Sequence, residues 1–329
     1  MSERRLRWGL ICTARINRAL IPAIRAANRS ELVAVASRDL ARAQEYARQW
    51  EIPRAHRSYA ALLADPDVDV IYNALPNGLH CAWTVQAADA GKHVLCEKPL
   101  ALDVAEVDRM AEAARRNGVV VFEAFMYLHH PQTFKVQELI RQGAIGEVRT
   151  VYATFFFALD RPDDPRLDPA MGGGALWDVG CYPVSFARMV ADDDPVETSG
   201  WQVTGPSDVD LTFAGQTRFA GGALAQIACS FQATFHRGAE IVGGEGAITL
   251  KDPWKPGADS EPGVSLRHGD DVEWLPVEDV DPALCEVRAM EACVLDGAPP
   301  VVPLAASRGH VTTINALYES ARTGRPVAL

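Results

Sequence analysis

The stretch "HVLCEKPLA" (residues 93–101) ends an apolar run on a charged pair and a proline. Val94, Leu95 and Cys96 read as the tail of a buried strand. An ammonium directly after them, at Lys98, is costly unless it stands at the strand's carboxyl rim, where a charge can serve a ligand. Pro99 fixes the backbone at that point. A second concentration of chemistry is "MGGGALWDVGCYPVSF" (171–186), in which three glycines precede a helical pattern carrying Asp178 and Tyr182. Their four-residue spacing puts a carboxylate and a phenol on one helix face, and the glycines let backbone approach a ligand closely. Taken alone, Tyr182 also reads as a core tyrosine with its hydroxyl satisfied.

The elements that would position these residues alternate through the first 125 positions. Strand-like runs at 7–11, 31–37, 68–75, 93–97 and 119–124 are separated by helical patterns at 15–27, 40–50, 58–64, 79–90 and 103–117. Repeated β–α units with near-continuous apolar strands predict a parallel sheet covered by helices on both faces. After a helix at 131–142 the pattern becomes strand-rich, with runs at 146–159, 208–215, 222–233, 238–252, 263–269 and 271–277, before helices at 281–296 and 305–322. Several of these strands alternate apolar with polar, as an antiparallel sheet with one covered face does. The predicted fold class is therefore α/β. A Rossmann-type doubly wound parallel sheet over residues 1–125 is followed by an α+β domain with a largely antiparallel open sheet over 126–329.

In an open parallel sheet, ligands bind beyond the carboxyl ends of the strands. The first β–α turn, "CTARIN" (12–17), occupies the place of a G-x-G-x-x-G fingerprint but carries Cys12, Ala14 and Asn17 at the glycine positions. Ala14 still allows close approach, and a helix N-terminus still offers free N–H groups to a pyrophosphate. Cys12, Thr13, Ala14, Arg15 and Ile16 are thus candidate cofactor contacts. The second strand ends Ala36-Ser37-Arg38, with no acidic residue for an adenosine ribose. A hydroxyl and a guanidinium suit a 2′-phosphate, so NADP is expected over NAD; the alternative is a solvated Arg38 with Asp39 capping the next helix. The turn "LPNGLH" (75–80) offers Leu75, Pro76, Asn77 and His80 to a nicotinamide ribose, or else is a plain turn and helix cap. Adjacent His129 and His130 point different ways on a helix, and no metal site is expected.

Composition limits the setting. The chain has 329 residues, 48% hydrophobic and 23% charged, the profile of a soluble globular protein. Its net charge of −11 disfavours nucleic acid or an anionic membrane as partner. The N-terminal apolar run is about five residues, short of the roughly 7–15 of a secretory signal. Seven scattered cysteines without C-x-x-C spacing fit a reducing cytoplasm and give no disulfide framework or nucleophile signature.

The runs "NALPNGLH", "GKHVLCEKPLAL", "EAFMYLHHPQ", "GAIGEVR", "RLDPAMGGGALWDVGCYPVSF", "GGEGAITL" and "ESARTGRPV" stand in an order that resembles the glucose–fructose oxidoreductase/inositol dehydrogenase (Gfo/Idh/MocA) family from end to end. The chain is most similar to the branch with tyrosine in the last of the glycine-rich landmarks, which includes dimeric dihydrodiol dehydrogenases and NADP-dependent xylose dehydrogenases. The resemblance implies an NADP-dependent oxidoreductase acting on a sugar, a sugar-derived ketone or a cyclic polyol. In it Lys98 lies beside the nicotinamide, Glu97 contributes to the cofactor site, Tyr182 moves the proton and Asp178 orients sugar or tyrosine. Arg166 and Trp177 join Lys98, Asp178 and Tyr182 as implied substrate contacts. A phenol titrates near 10 when unperturbed, and a neighbouring ammonium draws it toward working pH. Cys12 replaces a glycine that the family usually keeps, and Leu128 stands where an arginine is common. Two other functions remain open: a nucleotide-sugar ketoreductase, and a non-catalytic NADP-sensing regulator. A homodimer or homotetramer is expected through the uncovered sheet face.

Overall fold

The apolar run Leu6–Leu10 is β1, and its neighbours follow in strict alternation. They are α1 (Asn17–Ala26), β2 (Ser30–Ala36), α2 (Leu40–Gln49), β3 (Arg54–His56), α3 (Tyr59–Leu63), β4 (Val70–Asn73), α4 (His80–Asp89), β5 (His93–Glu97), α5 (Val104–Asn117) and β6 (Val121–Ala124). The structure is a computed structural model and describes residues 4–329. The six strands pair in parallel in the order β3-β2-β1-β4-β5-β6. This is the doubly wound order, with its topological switch between β1 and β4. Every residue of β4, and Val94, Leu95 and Cys96 of β5, is buried, which is why these strands read as continuous apolar runs.

Two compact units form: residues up to Phe125 together with Asp281–Arg308, and Met126–Val280 together with Gly309–Leu329. A single cut at 125/126 therefore misplaces one element. Helix α8 (Pro282–Asp296) belongs with the first unit, because Ala283, Val287, Met290 and Cys293 pack into one core with Leu20, Ile21 and Ile24 of α1. Its Glu291 also accepts hydrogen bonds from Ser30 Oγ at 2.8 Å and Arg29 N at 3.0 Å.

The second unit holds α6 (Pro131–Arg141), β7 (Val148–Ala158), α7 (Cys181–Ala191), β8 (Pro195–Thr204), β9 (Asp210–Phe219), β10 (Leu224–Ser230), β11 (Gln232–Gly243), β12 (Ala247–Leu250), β13 (Gly263–His268) and β14 (Asp271–Pro276). Helix α9 (Leu304–Thr323) and β15 (Val327–Ala328) end the chain. The nine strands order as β14-β13-β12-β11-β7-β10-β9-β8-β15, antiparallel except for the β10–β7 pair. The run expected as one strand over 222–233 is two. β10 and β11 lie on opposite sides of β7, and the chain crosses between them at Phe231, whose N–H donates to Leu211 O at 2.7 Å. No glycine or proline marks that crossing, so the sequence reads through it. β8 and the three-residue β3 escape the sequence pattern too, since neither has a clean apolar alternation. Along β9 the face alternates strictly: Phe213, Gly215, Thr217 and Phe219 are buried, while Ala214, Gln216 and Arg218 are exposed. No helix among the described residues is long and apolar enough to cross a membrane.

Candidate functional site

In the first unit the candidate cofactor contacts collect at the carboxyl ends of β1, β2, β4 and β5. Helix α1 starts without a side-chain cap, and the N–H groups of Asn17, Arg18 and Ala19 donate instead to the carbonyls of Ala14, Arg15 and Ile16, at 3.2, 3.4 and 2.9 Å. The absent glycines do little harm there. The Cys12 thiol donates to Ala74 O at 3.2 Å, and Asn17 Nδ2 donates to Cys12 O at 2.7 Å, tying the turn from inside. Burial pushes the Cys12 thiol up to about 11, so it stays neutral and adds no charge against a phosphate. Positive φ outside glycine occurs among the described residues at Glu51, Asp192 and Asp208, and not in this turn. Thr13 and Ala14 are half-buried, and Arg15 and Ile16 are exposed.

At the end of β2, Ser37 is buried and its Oγ accepts from Asp39 N at 3.2 Å. Asp39 does cap α2, accepting from Ala41 N at 2.8 Å, while the Arg38 side chain is left exposed. Arg42, one turn into α2, stands with it. Burial raises the Tyr59 phenol, and both guanidiniums oppose that rise, while Arg42 also acts on the Cys12 thiol. Arg38 and Arg42, four residues apart, are both exposed. The i, i+4 spacing of Arg38 and Arg42 is the one sequence signal that adds Arg42 to the candidates.

The third turn needs a correction. His80 was expected to meet a ligand ribose, but it is fully buried with Nδ1 2.8 Å from Pro99 O and Nε2 2.7 Å from Leu75 O. Both ring nitrogens are spent on backbone, so His80 ties the Leu75 turn to the Pro99 turn from beneath. Burial lowers its pKa despite those two carbonyls. Leu75 is also buried, which leaves Pro76 and Asn77 half-exposed at the rim. The fourth turn is braced from several sides. Glu97 accepts from Tyr72 OH at 2.5 Å, Leu100 N donates to the buried Glu123 carboxylate at 2.8 Å, and the Lys98–Pro99 peptide is cis. Lys98 is half-buried on this turn, the placement its abrupt position after an apolar run requires. Beneath it Glu286 of α8 is held far above the usual carboxylate range, first by burial and then by the charge of Glu97.

In the second unit, the glycine-rich segment enters α7 through a π turn, Leu176–Gly180. Such turns recur at functional sites because they displace side chains from the regular helical faces. Asp178 sits inside the turn, and Arg166 Nε donates to it at 2.6 Å. Arg166 also holds Asp164 at 3.3 Å, and the two carboxylates, Asp178 foremost, raise its pKa. Trp177 is buried with its ring 5.6 Å from that of Tyr318, so it supports the turn more than it offers a face to a ligand. Tyr182 is 8% exposed and ringed by Phe155, Trp254 and Tyr127, with centroids at 5.5, 5.8 and 5.9 Å. Leu128 is buried, so the position where an arginine is common in the family is apolar here. No group of three or more metal-ligating side chains forms among the described residues.

A doubly wound sheet with polar residues along its carboxyl rim is a setting in which dinucleotides bind. Residues 6–125 match the oxidoreductase family with NAD-binding Rossmann fold of the GFO/IDH/MocA proteins, and residues 133–249 match the GFO/IDH/MocA C-terminal domain. The chain is 37% identical to the "D-xylose 1-dehydrogenase (NADP(+)) 2" of Haloferax volcanii, over 98% of this chain and 99% of that one. It is 36% identical to the trans-1,2-dihydrobenzene-1,2-diol dehydrogenase of Danio rerio, over 89% of each. Among solved structures, a 3-ketoreductase from Actinomadura kijaniata in complex with NADP and TDP-benzene superposes with a TM-score of 0.90 at 30% identity, covering 96% of this chain and 98% of that one. The chain belongs to the Gfo/Idh/MocA family of NAD(P)-binding oxidoreductases, a family whose members named above act on sugars, sugar derivatives or diols.

Proposed function

We propose that this protein is an NADP-dependent oxidoreductase that interconverts a hydroxyl and a carbonyl on a free sugar or cyclic polyol. The observation that carries the proposal is a phenol, Tyr182, held in a buried aromatic cradle at the exit of a π turn, in a chain that also keeps Lys98 on the cofactor rim. When bound, the nicotinamide supplies the hydride chemistry. The turn that leads into α1, residues 12–16, would hold the pyrophosphate, with Ser37, Arg38 and Arg42 at the 2′-phosphate. Tyr182 gives a proton to the carbonyl oxygen in reduction and takes one from the hydroxyl in oxidation. The ammonium of Lys98 steadies negative charge on that oxygen and favours the ionised phenol. Asp178, with Arg166 across it, orients the sugar hydroxyls or the tyrosine.

A panel of aldoses, inositols and dihydrodiols with NADP, followed by nicotinamide absorbance, tests the reading. Turnover of a free sugar or polyol supports it. Silence with every member, alongside tight NADP binding, would leave a sensor in its place.

The similarity to the Actinomadura kijaniata enzyme favours a second reading, reduction of a nucleotide-linked ketosugar. It needs cations for a diphosphate. Arg161 and Arg166 are the two in the loop before the glycines, and both are already engaged by carboxylates, Arg161 by Asp164 at 3.3 Å and Arg166 by Asp164 and Asp178. A free sugar fits that loop better.

Two further expectations attach to this reading. All seven cysteines are free thiols, which suits a reducing cytoplasm. The uncovered face of the large sheet carries Trp201 (64% exposed), Leu224 (49%) and Tyr152 (40%) among Ala214, Gln216 and Gln226. Large exposed apolar side chains on one sheet face are an association surface. A self-complementary face closes as a dimer about a two-fold axis. Light scattering at micromolar concentration is expected to give at least the dimer mass, and Trp201→Glu to shift it toward the monomer. A monomeric mass for the parent protein would refute this.

A further inference from the structure

Asp210 opens β9 and is almost wholly buried, and its carboxylate bonds to groups outside β9. Its Oδ2 accepts from Leu176 N, the first residue of the π turn, at 2.8 Å. Its Oδ1 accepts from Tyr318 OH of α9 at 2.7 Å. The turn has no side-chain cap of its own, so a carboxylate brought from elsewhere in the unit does the work of an N-cap. The fit around this pair is close. Gly174, at φ +125°, has no space for a side chain, because a Cβ there would lie 2.2 Å from Asp210 Oδ1 and 2.8 Å from Tyr318 OH. The Tyr318 ring in turn lies 5.6 Å from Trp177 and 5.7 Å from Phe213. Burial pushes the Tyr318 phenol well above its ordinary value, and the neighbouring Asp210 charge adds to it, so the phenol remains the donor.

These contacts end one residue before Trp177, two before Asp178 and six before Tyr182. We propose that Asp210 and Tyr318 are positioning residues that fix the π turn and thereby set where Asp178 and Tyr182 stand. Arg166 holds the turn from the loop side through Asp178, and the Asp210–Tyr318 pair holds it from the sheet side. The proposal rests on the reading of Tyr182 as the proton-handling group. Neither residue touches the reacting atoms. Their effect is felt through geometry, to which proton transfer and hydride transfer are both steeply sensitive.

The test uses Tyr318→Phe, which keeps the ring and deletes the donor, together with Asp210→Ala and Asp210→Asn. Each is made in the parent and in a Tyr182→Phe background. Loss of a hydrogen bond to a charged group is worth roughly a factor of ten, and misplacement of a reacting group up to about a hundredfold. We expect Tyr318→Phe to lower kcat on the best substrate of the panel about tenfold, and Asp210→Ala up to about a hundredfold. NADP affinity should be unchanged. Asp210→Asn should recover most of the loss, since its amide oxygen still accepts from Leu176 N. In the Tyr182→Phe background the same changes should cost several-fold less than in the parent, because the proton-handling group they position is gone and only Asp178 remains to be displaced. Equal losses in both backgrounds would mean a general weakening of the unit and would overturn the proposal. A second readout needs no substrate: the ring-carbon NMR resonance of Tyr182, assigned by its disappearance in Tyr182→Phe, should move in Tyr318→Phe and Asp210→Ala. An unmoved resonance overturns the positioning role. Full activity in Tyr182→Phe alone would instead defeat the proposed chemistry, and the resonance would still decide the positioning.

Discussion

Replacing Tyr182 with phenylalanine is expected to lower turnover by at least two orders of magnitude while leaving NADP affinity nearly intact. General acid–base catalysis contributes about a hundredfold to ten-thousandfold, and the substitution removes the hydroxyl without disturbing the ring. The cradle of Phe155, Trp254 and Tyr127 should hold phenylalanine as well as tyrosine, so the loss is in chemistry and not in folding. Lys98→Met should lose as much if, as proposed, the ammonium steadies charge on the substrate oxygen and favours the ionised phenol. If the two share one proton-transfer task, the double variant should be little worse than either single one. Tyr182→His should regain part of the activity with the pH optimum displaced downward, since an imidazole titrates near 6.5 and a phenol near 10. The measurement is kcat and KM for the substrate, with Kd for NADP, in the parent and the four variants. Near-parental turnover in Tyr182→Phe would assign the proton to another group, and multiplicative losses in the double variant would mean two separate tasks.

The alternation of strand and helix over the first 125 residues was readable because the central strands β1, β4, β5 and β6 are buried almost throughout. Lys98 could be found for the same reason: a charge at the end of such a run has to be at a rim. Helix α8 could not be placed, because its apolar stripe states that it packs but not on which unit, and the partner residues lie more than 250 positions earlier. His80 misled for a related reason. A histidine at a helix start looks like a ligand contact, and only the folded chain shows both its nitrogens on the carbonyls of Leu75 and Pro99. Asp210 and Tyr318 gave no sequence signal at all. Their partner, the Leu176 amide, is backbone, and the separation of 108 residues between the two side chains hides the pair.

On the proposed reading, Arg38 and Arg42 set the choice of cofactor. NADP is expected to outperform NAD by roughly tenfold to a hundredfold in kcat/KM, the worth of one charge-assisted contact of about 1.5–3 kcal/mol. No carboxylate stands at the end of β2 to claim the adenosine ribose hydroxyls: Ser37 follows Ala36, and Asp39 is engaged as the α2 cap. Arg38→Ala should erase most of the preference, and Arg42→Ala a smaller part, since Arg42 lies one turn further along, inside α2. Both side chains are exposed, so the preference should also shrink as salt rises from 0.01 M toward 1 M, over which the screening length falls from about 30 to 3 Å. Competition by 2′,5′-ADP offers a readout free of catalysis: its affinity should fall in both variants, while that of 5′-AMP, which lacks the 2′-phosphate, should stay within about twofold. Equal efficiency with NAD in the parent protein would remove the arginine pair from cofactor choice. A preference that survives the double variant would move the 2′-phosphate to the Ser37 hydroxyl and the backbone around it.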